Sequence, residues 1–181
     1  GRATTLRAHV AYLGREGAAR PNQPEVSDQR EPSRGQEQSS EQHIDATIGY
    51  LSRERQGGDE PFYDQSRNSL DAREATQDWH ADKRHFRLII SAEDGADLGE
   101  LRPFIRETMS RLERHVGTRL QWLAVDHWDT DNPHTHVLVR GIRADGKELI
   151  IPGKVPSVAI REDAQEIATR ILGPRPALEL Q

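Results

Sequence analysis

Two apolar runs, "RLQWLAVDH" (119–127) and "HTHVLVRGI" (134–142), lie on either side of six residues, "WDTDNP". Each run reads as a strand, and Asp, Asn and Pro favour a fold-back between them, so the pair is predicted to form a hairpin. "HFRLIIS" (85–91) alternates and then runs apolar, the pattern of a strand buried on at least one face. "ELRPFIRETMSRLERHVG" carries Leu101, Phe104, Ile105, Met109, Leu112 and Val116 at spacings of three and four. That predicts an amphipathic helix with Pro103 in its opening part and Gly117 as its stop. "ADGKELIIP" predicts a turn and a short fourth strand. "SVAIREDAQEIATRIL" predicts a closing helix whose Val158, Ile167, Ile171 and Leu172 can cover a sheet. Strand, helix, strand, strand, strand, helix, with a hairpin in the middle, is an α+β order. It implies a mainly antiparallel sheet with helices packed on one face.

The 181 residues suit one domain with its own core. With 34% hydrophobic and 30% charged residues the chain is lean for a globule, so part of it is expected to stay outside that core. Residues 18–41 have almost no apolar side chains and are rich in Pro, Gln, Ser and charge, as a disordered or loosely held insertion would be. Before them, Leu6, Val10 and Leu13 predict a short helix over Thr4–Leu13, punctuated by Gly14 and Gly17. The chain thus enters on a helix with no strand ahead of it, as though a strand had been cut off. After the insertion, Ile44, Ile48 and Leu51 predict a second short helix, followed by a loop, "QGGDEPFYDQ", and a weak helix over Leu70–Ala81. The expected organisation is a helical lead-in (1–17), the insertion (18–41), a folded domain (42–174, firmest over 85–174) and a tail (175–181). Absence of cysteine excludes disulfides, thiolate zinc sites and cysteine nucleophiles. No apolar run reaches membrane-spanning length and "GRATTLRAHVAYL" is not a signal peptide, so a soluble cytoplasmic protein is expected.

The hairpin concentrates chemistry. His134 and His136, two apart on a strand, project from the same face. If the link folds back, His127 arrives on the neighbouring strand beside them. Three imidazoles then converge with ligand positions left open, the catalytic rather than the closed structural pattern. The alternative is a pair that only lines a sheet face, with His127 solvated in a turn. Asp126, Asp129 and Asp131 nearby favour the metal. All-nitrogen ligation tolerates Mg, Mn, Zn, Ni or Co. A net charge of −5 counts against a protein that coats DNA non-specifically, but leaves open a local basic groove or a metal-mediated phosphate contact.

There is no Gly-rich phosphate loop, and the serines occupy no nucleophile-elbow context, which leaves tyrosine as the nucleophile class. Two of the three tyrosines occur in nearly the same words, "HVAYLGREG" around Tyr12 and "TIGYLSRERQG" around Tyr50. Each is placed late in a predicted short helix, where a half-buried aromatic is also an ordinary structural feature.

At these residues the sequence resembles a family. "HWDTDNPHTHVLV" is similar to the third motif of conjugative relaxases of the HUH endonuclease superfamily, in particular the MOB-P type, which includes the T-DNA border nicking enzymes. "HFRLIISAEDGADLGELRPF" resembles their second motif, a strand ending in Ser followed by a helix, and "RAHVAYLGREG" their first, which carries the nucleophilic tyrosine. The resemblance implies a relaxase-like sandwich in which His127, His134 and His136 hold a divalent cation, Mg or Mn. That cation would polarise the scissile phosphate of single-stranded DNA at a transfer origin. A tyrosine would attack in line, leaving a 5′-phosphotyrosyl enzyme and a free 3′-hydroxyl. Asp129 is the candidate for orienting His127 or accepting a proton, with Asp126 second. Ser91 and His85 belong to the strand expected near the DNA. Arg140 stands where the motif often has Asn and would contact a phosphate. Tyr12 is preferred over Tyr50 because it follows the family's "RAH" lead-in, though both could act in successive transfers. The family's first strand has no counterpart, so the sheet is expected to lack it. Relaxosome accessory proteins and a coupling protein are the implied partners, with no membrane insertion.

Two rivals remain. One is a non-catalytic fragment that binds origin DNA. The other is a nucleotide hydrolase similar to the histidine-triad enzymes, which wants a third alternating histidine where this chain has Leu138.

Overall fold

The computed structural model describes residues 8–16, 35–53, 60–128 and 132–173, with backbone alone for 9–16 and 35–43. Four strands, β1 (Ala8–Glu16), β2 (His85–Ala92), β3 (Trp122–His127) and β4 (His134–Arg140), form one antiparallel sheet in the order β1-β2-β4-β3. The predicted hairpin is present: β3 and β4 pair from Trp122 opposite Val139 to His127 opposite His134. β2 then lies against the other side of β4, with Ser91 opposite His134 and His85 opposite Arg140.

Helices cover both faces of this sheet, not one. Helix α3 (Leu101–Val116) and helix α4 (Ile160–Leu172) close one face. There Phe86, Leu88, Ile90, Trp122, Ala124, Val137 and Val139 pack with Phe104, Ile105, Met109 and Ile167. Helix α1 (Gly35–Arg53) closes part of the other, its Ile44, Ile48 and Leu51 buried against Leu123, Val125 and Leu138. The expected single-faced arrangement fails because β3 and β4 are apolar at both parities. Such strands must be buried on both sides. Gly117 ends α3 as read, at φ 70 with its N–H donating to the Glu113 carbonyl.

Five expectations are corrected. Residues 8–16 are a strand, not the end of a helix, so the tyrosine-bearing lead-in is extended and forms an edge of the sheet beside β2. Pairing along nearly all of β2 outweighs the weak helical preference of so short a segment. Helix α1 begins at Gly35, inside the stretch read as an insertion; the remainder of that stretch lies outside the described residues. The fourth strand of "ADGKELIIP" reduces to one bridge, Ile142 with Glu148, while Leu149 and Ile151 bury without a ladder. In the closing helix Ile167 is buried, but Val158 and Ile171 are 42% and 45% exposed and Ile160 takes a core position. A π-helical segment over Val155–Ala159 takes Val158 out of the 3.6-residue phase of α4, and Ile171 stands in the last turn of that helix. The weak helix at 70–81 is a single turn, α2 (Ala72–Ala75), capped by Asp71, then a 3₁₀ turn over Gln77–Trp79. Among the described residues no helix is long and apolar enough to cross a membrane.

Gly141 ends β4 against the start of β2. A Cβ there would lie 2.1 Å from the Arg84 carbonyl oxygen, so the backbone itself must move. Gly141→Ala is expected to cost about 1–3 kcal/mol, the range for overpacking. Urea denaturation checks this, with Gly153→Ala as control, since a Cβ at Gly153 meets nothing within 4 Å.

Candidate metal centre

Side chains alternate along a strand, so the register decides what meets. On the α1 face, Ser91, His134 and His127 form a row across β2, β4 and β3, and His136 stands one row inward between Ile89 and Val125. The three rings close on one another, with centroids 5.2 Å apart for His127–His134, 4.7 Å for His127–His136 and 5.1 Å for His134–His136. One ligand nitrogen from each lies within 4.8 Å of the others. Two nitrogens each bonded at about 2.1 Å to one ion can be at most about 4.2 Å apart. Ring rotations of about half an ångström therefore close the set around an ion.

The protonation states suit a cation. Burial, then the proximity of His127 and His134 and the Arg87 charge, lowers His136 to about 3, so its ring is neutral and keeps a lone pair. His134 Nδ1 lies 3.1 Å from the Asn132 carbonyl oxygen. A carbonyl only accepts, so Nδ1 carries the proton and Nε2 is left as the ligand atom. His127 and His136 are 6% and 5% exposed, which keeps bulk water from two of the three rings.

Asp126, the second choice for orienting His127, belongs to the opposite face. Its Oδ1 accepts from Tyr63 Oη and Thr135 Oγ1, each at 2.7 Å. Burial raises its pKa, and the two hydrogen bonds pull only part of the way back. Tyr63 is wholly buried; burial and the adjacent Asp126 raise its phenol well above 10, which removes it as a nucleophile. His85 and Arg140 face each other at the far end of β2 and β4, six residues and about 20 Å from the Ser91–His134 pair. Arg140 commits its guanidinium to Asp82 at 2.6 and 3.2 Å, Asp78 at 3.0 Å, the Asp78 carbonyl at 2.9 Å and Gln121 at 2.9 Å. It is a structural clamp here, and the expected phosphate contact does not fit it. Leu138, where a histidine-triad enzyme wants its third histidine, is buried under α1. Asp129 and Asp131 lie outside the described residues.

The tyrosines separate. The backbone of Tyr12 stands in β1 opposite Leu88. Tyr50 lies near the end of α1, 42% exposed, with the Arg87 guanidinium carbon 5.4 Å from its ring centroid. Arg87 is the residue the sequence reading passed over. Its parity with Ser91 in "HFRLIIS" already placed it on the histidine face.

Residues 50–169, about two-thirds of the chain, match the family described as relaxase, MobA/VirD2-like, nuclease domain. No curated protein and no solved structure matches the chain.

Removing a ligand should weaken Mn binding more than the 10–100-fold typical for losing an outer partner of a metal-bound histidine. Titration calorimetry of His134→Ala reads this; unchanged affinity would count against the centre. A second expectation concerns pH. His136 titrates near 6.5 when unfolded and about 3 when folded, so the folded state binds fewer protons between those values. Its contribution to stability is complete above about pH 6.5 and is lost progressively as pH falls toward 3. In chelator-treated protein the urea midpoint should therefore fall between pH 7 and 5, and less steeply in His136→Gln.

Proposed function

This chain belongs to the MobA/VirD2-like relaxase nuclease family, whose activity is DNA nicking at a transfer origin, and we propose that it nicks by tyrosine transesterification on single-stranded DNA. The convergence of His127, His134 and His136 on one sheet face, within the matched span, carries the reading. A divalent cation held there, Mg or Mn, supplies the positive charge that polarises the scissile phosphate. His127 and His136 are themselves largely buried, and the Asn132 carbonyl fixes the orientation of His134.

The nucleophile is proposed to be Tyr50 in preference to Tyr12, reversing the order drawn from the sequence. Three observations support this. Tyr50 is exposed, it lies on the helix that packs on the histidine face, and the matched span begins at that residue. Its phenolic oxygen attacks phosphorus, the P–O3′ bond breaks, and the 3′-oxygen leaves as a hydroxyl after taking up a proton. The phenol proton passes to a base, for which Asp129 remains the candidate. The phosphodiester energy is kept in the 5′-phosphotyrosyl bond, so a second 3′-hydroxyl can reverse the step and rejoin a strand. Ser91, which pairs with His134, is proposed to meet the DNA beside the nick. Accessory relaxosome proteins, a coupling protein and a cytoplasmic setting follow from this reading as proposals.

Incubation with Mn and a random single-stranded oligonucleotide pool should yield an SDS-resistant protein–DNA adduct. Tyr50→Phe is expected to abolish it and Tyr12→Phe to leave it. The opposite pattern would assign Tyr12. Metal binding without any adduct would favour a DNA-binding, non-nicking role.

A further inference from the structure

We propose that Arg87 is the positioning residue for the nucleophile, holding the Tyr50 ring against the histidine face of the sheet. The inference rests on Tyr50 acting as proposed above, but its geometry is independent of that role. Arg87 lies in β2 at the parity of Ser91, opposite Leu138 and one step from the Ile89–His136 pair. Its guanidinium carbon is 5.4 Å from the Tyr50 centroid, inside the roughly 6 Å at which a cation over an aromatic face is attracted.

The physical need is clear. Tyr50 is 42% exposed near the end of α1, so packing encloses only part of its ring. In-line attack tolerates little misplacement, and an error of about 1 Å can cost on the order of 100-fold in rate. A planar guanidinium stacks on the ring and presents positive charge beside the phenol, favouring the phenolate that attacks. An ammonium carries the same charge without the stacking plane, so lysine is a poor substitute.

The test uses single-turnover adduct formation with Mn on an oligonucleotide trapped by the wild-type protein. Arg87→Ala should slow the step on the order of 100-fold, with DNA affinity and Mn affinity little changed. Arg87→Lys should remain slow, and guanidinium ion in solution should accelerate Arg87→Ala but not the wild type. A wild-type rate in Arg87→Ala would overturn the proposal, and so would a loss matched by an equal loss of DNA affinity. Nitration of Tyr50 by tetranitromethane, located by peptide mass, separates this proposal from the functional reading. Should the wild type form no adduct, the transesterase reading falls. Faster nitration in wild type than in Arg87→Ala would still support the contact, and equal rates would overturn it.

Discussion

Strands β3 and β4 are held in one register at the end where the histidines stand, and the buried carboxylate of Asp126 does the holding. It accepts from Thr135 on β4 and from Tyr63, which bridges to β3 through paired bonds with Ala124. A slip of one residue would send every side chain to the other face and leave this carboxylate buried without its donors. The same slip would scatter His127 from His134 and His136. The apolar face of the sheet thus fixes the metal face. Apart from the Asn132 carbonyl on His134, the geometry of the cluster is set by this register, which a carboxylate on the opposite side helps to hold.

Helix α1 joins stability to chemistry in a related way. Ile44, Ile48 and Leu51 bury against β3 and β4, covering strands that are apolar on both faces. The turn that carries Ile48 and Leu51 also carries Tyr50, which the helical period turns outward beside Arg87. Packing of the helix and placement of the phenol are therefore not separable: a core substitution that shifted α1 would also move Tyr50.

Charge follows the same economy. The chain is acidic overall, at −5, so general attraction to phosphate is weak. Positive charge can instead be supplied locally, by an ion that the three imidazoles could take. Arg140 looked like a further phosphate contact but is neutralised by Asp78 and Asp82, a use that no pattern within "HTHVLVRG" discloses.

Much was determined by local pattern alone. Alternation in "HTHVLV" and the fold-back residues before it place three histidines together. The spacing in α3 and the Ile44–Ile48–Leu51 face name core residues that are buried, Val116 only partly, because helix and strand periods are set by backbone geometry that each segment carries with it. Tertiary structure decided what depends on partners far along the chain. Residues 8–16 became a strand only because β2 had an edge to pair. Asp126 turned from the histidines because its position on β3 has the opposite parity. Arg140 was claimed by carboxylates about sixty residues away. In each case a long-range contact overrode a preference worth less than the contact itself.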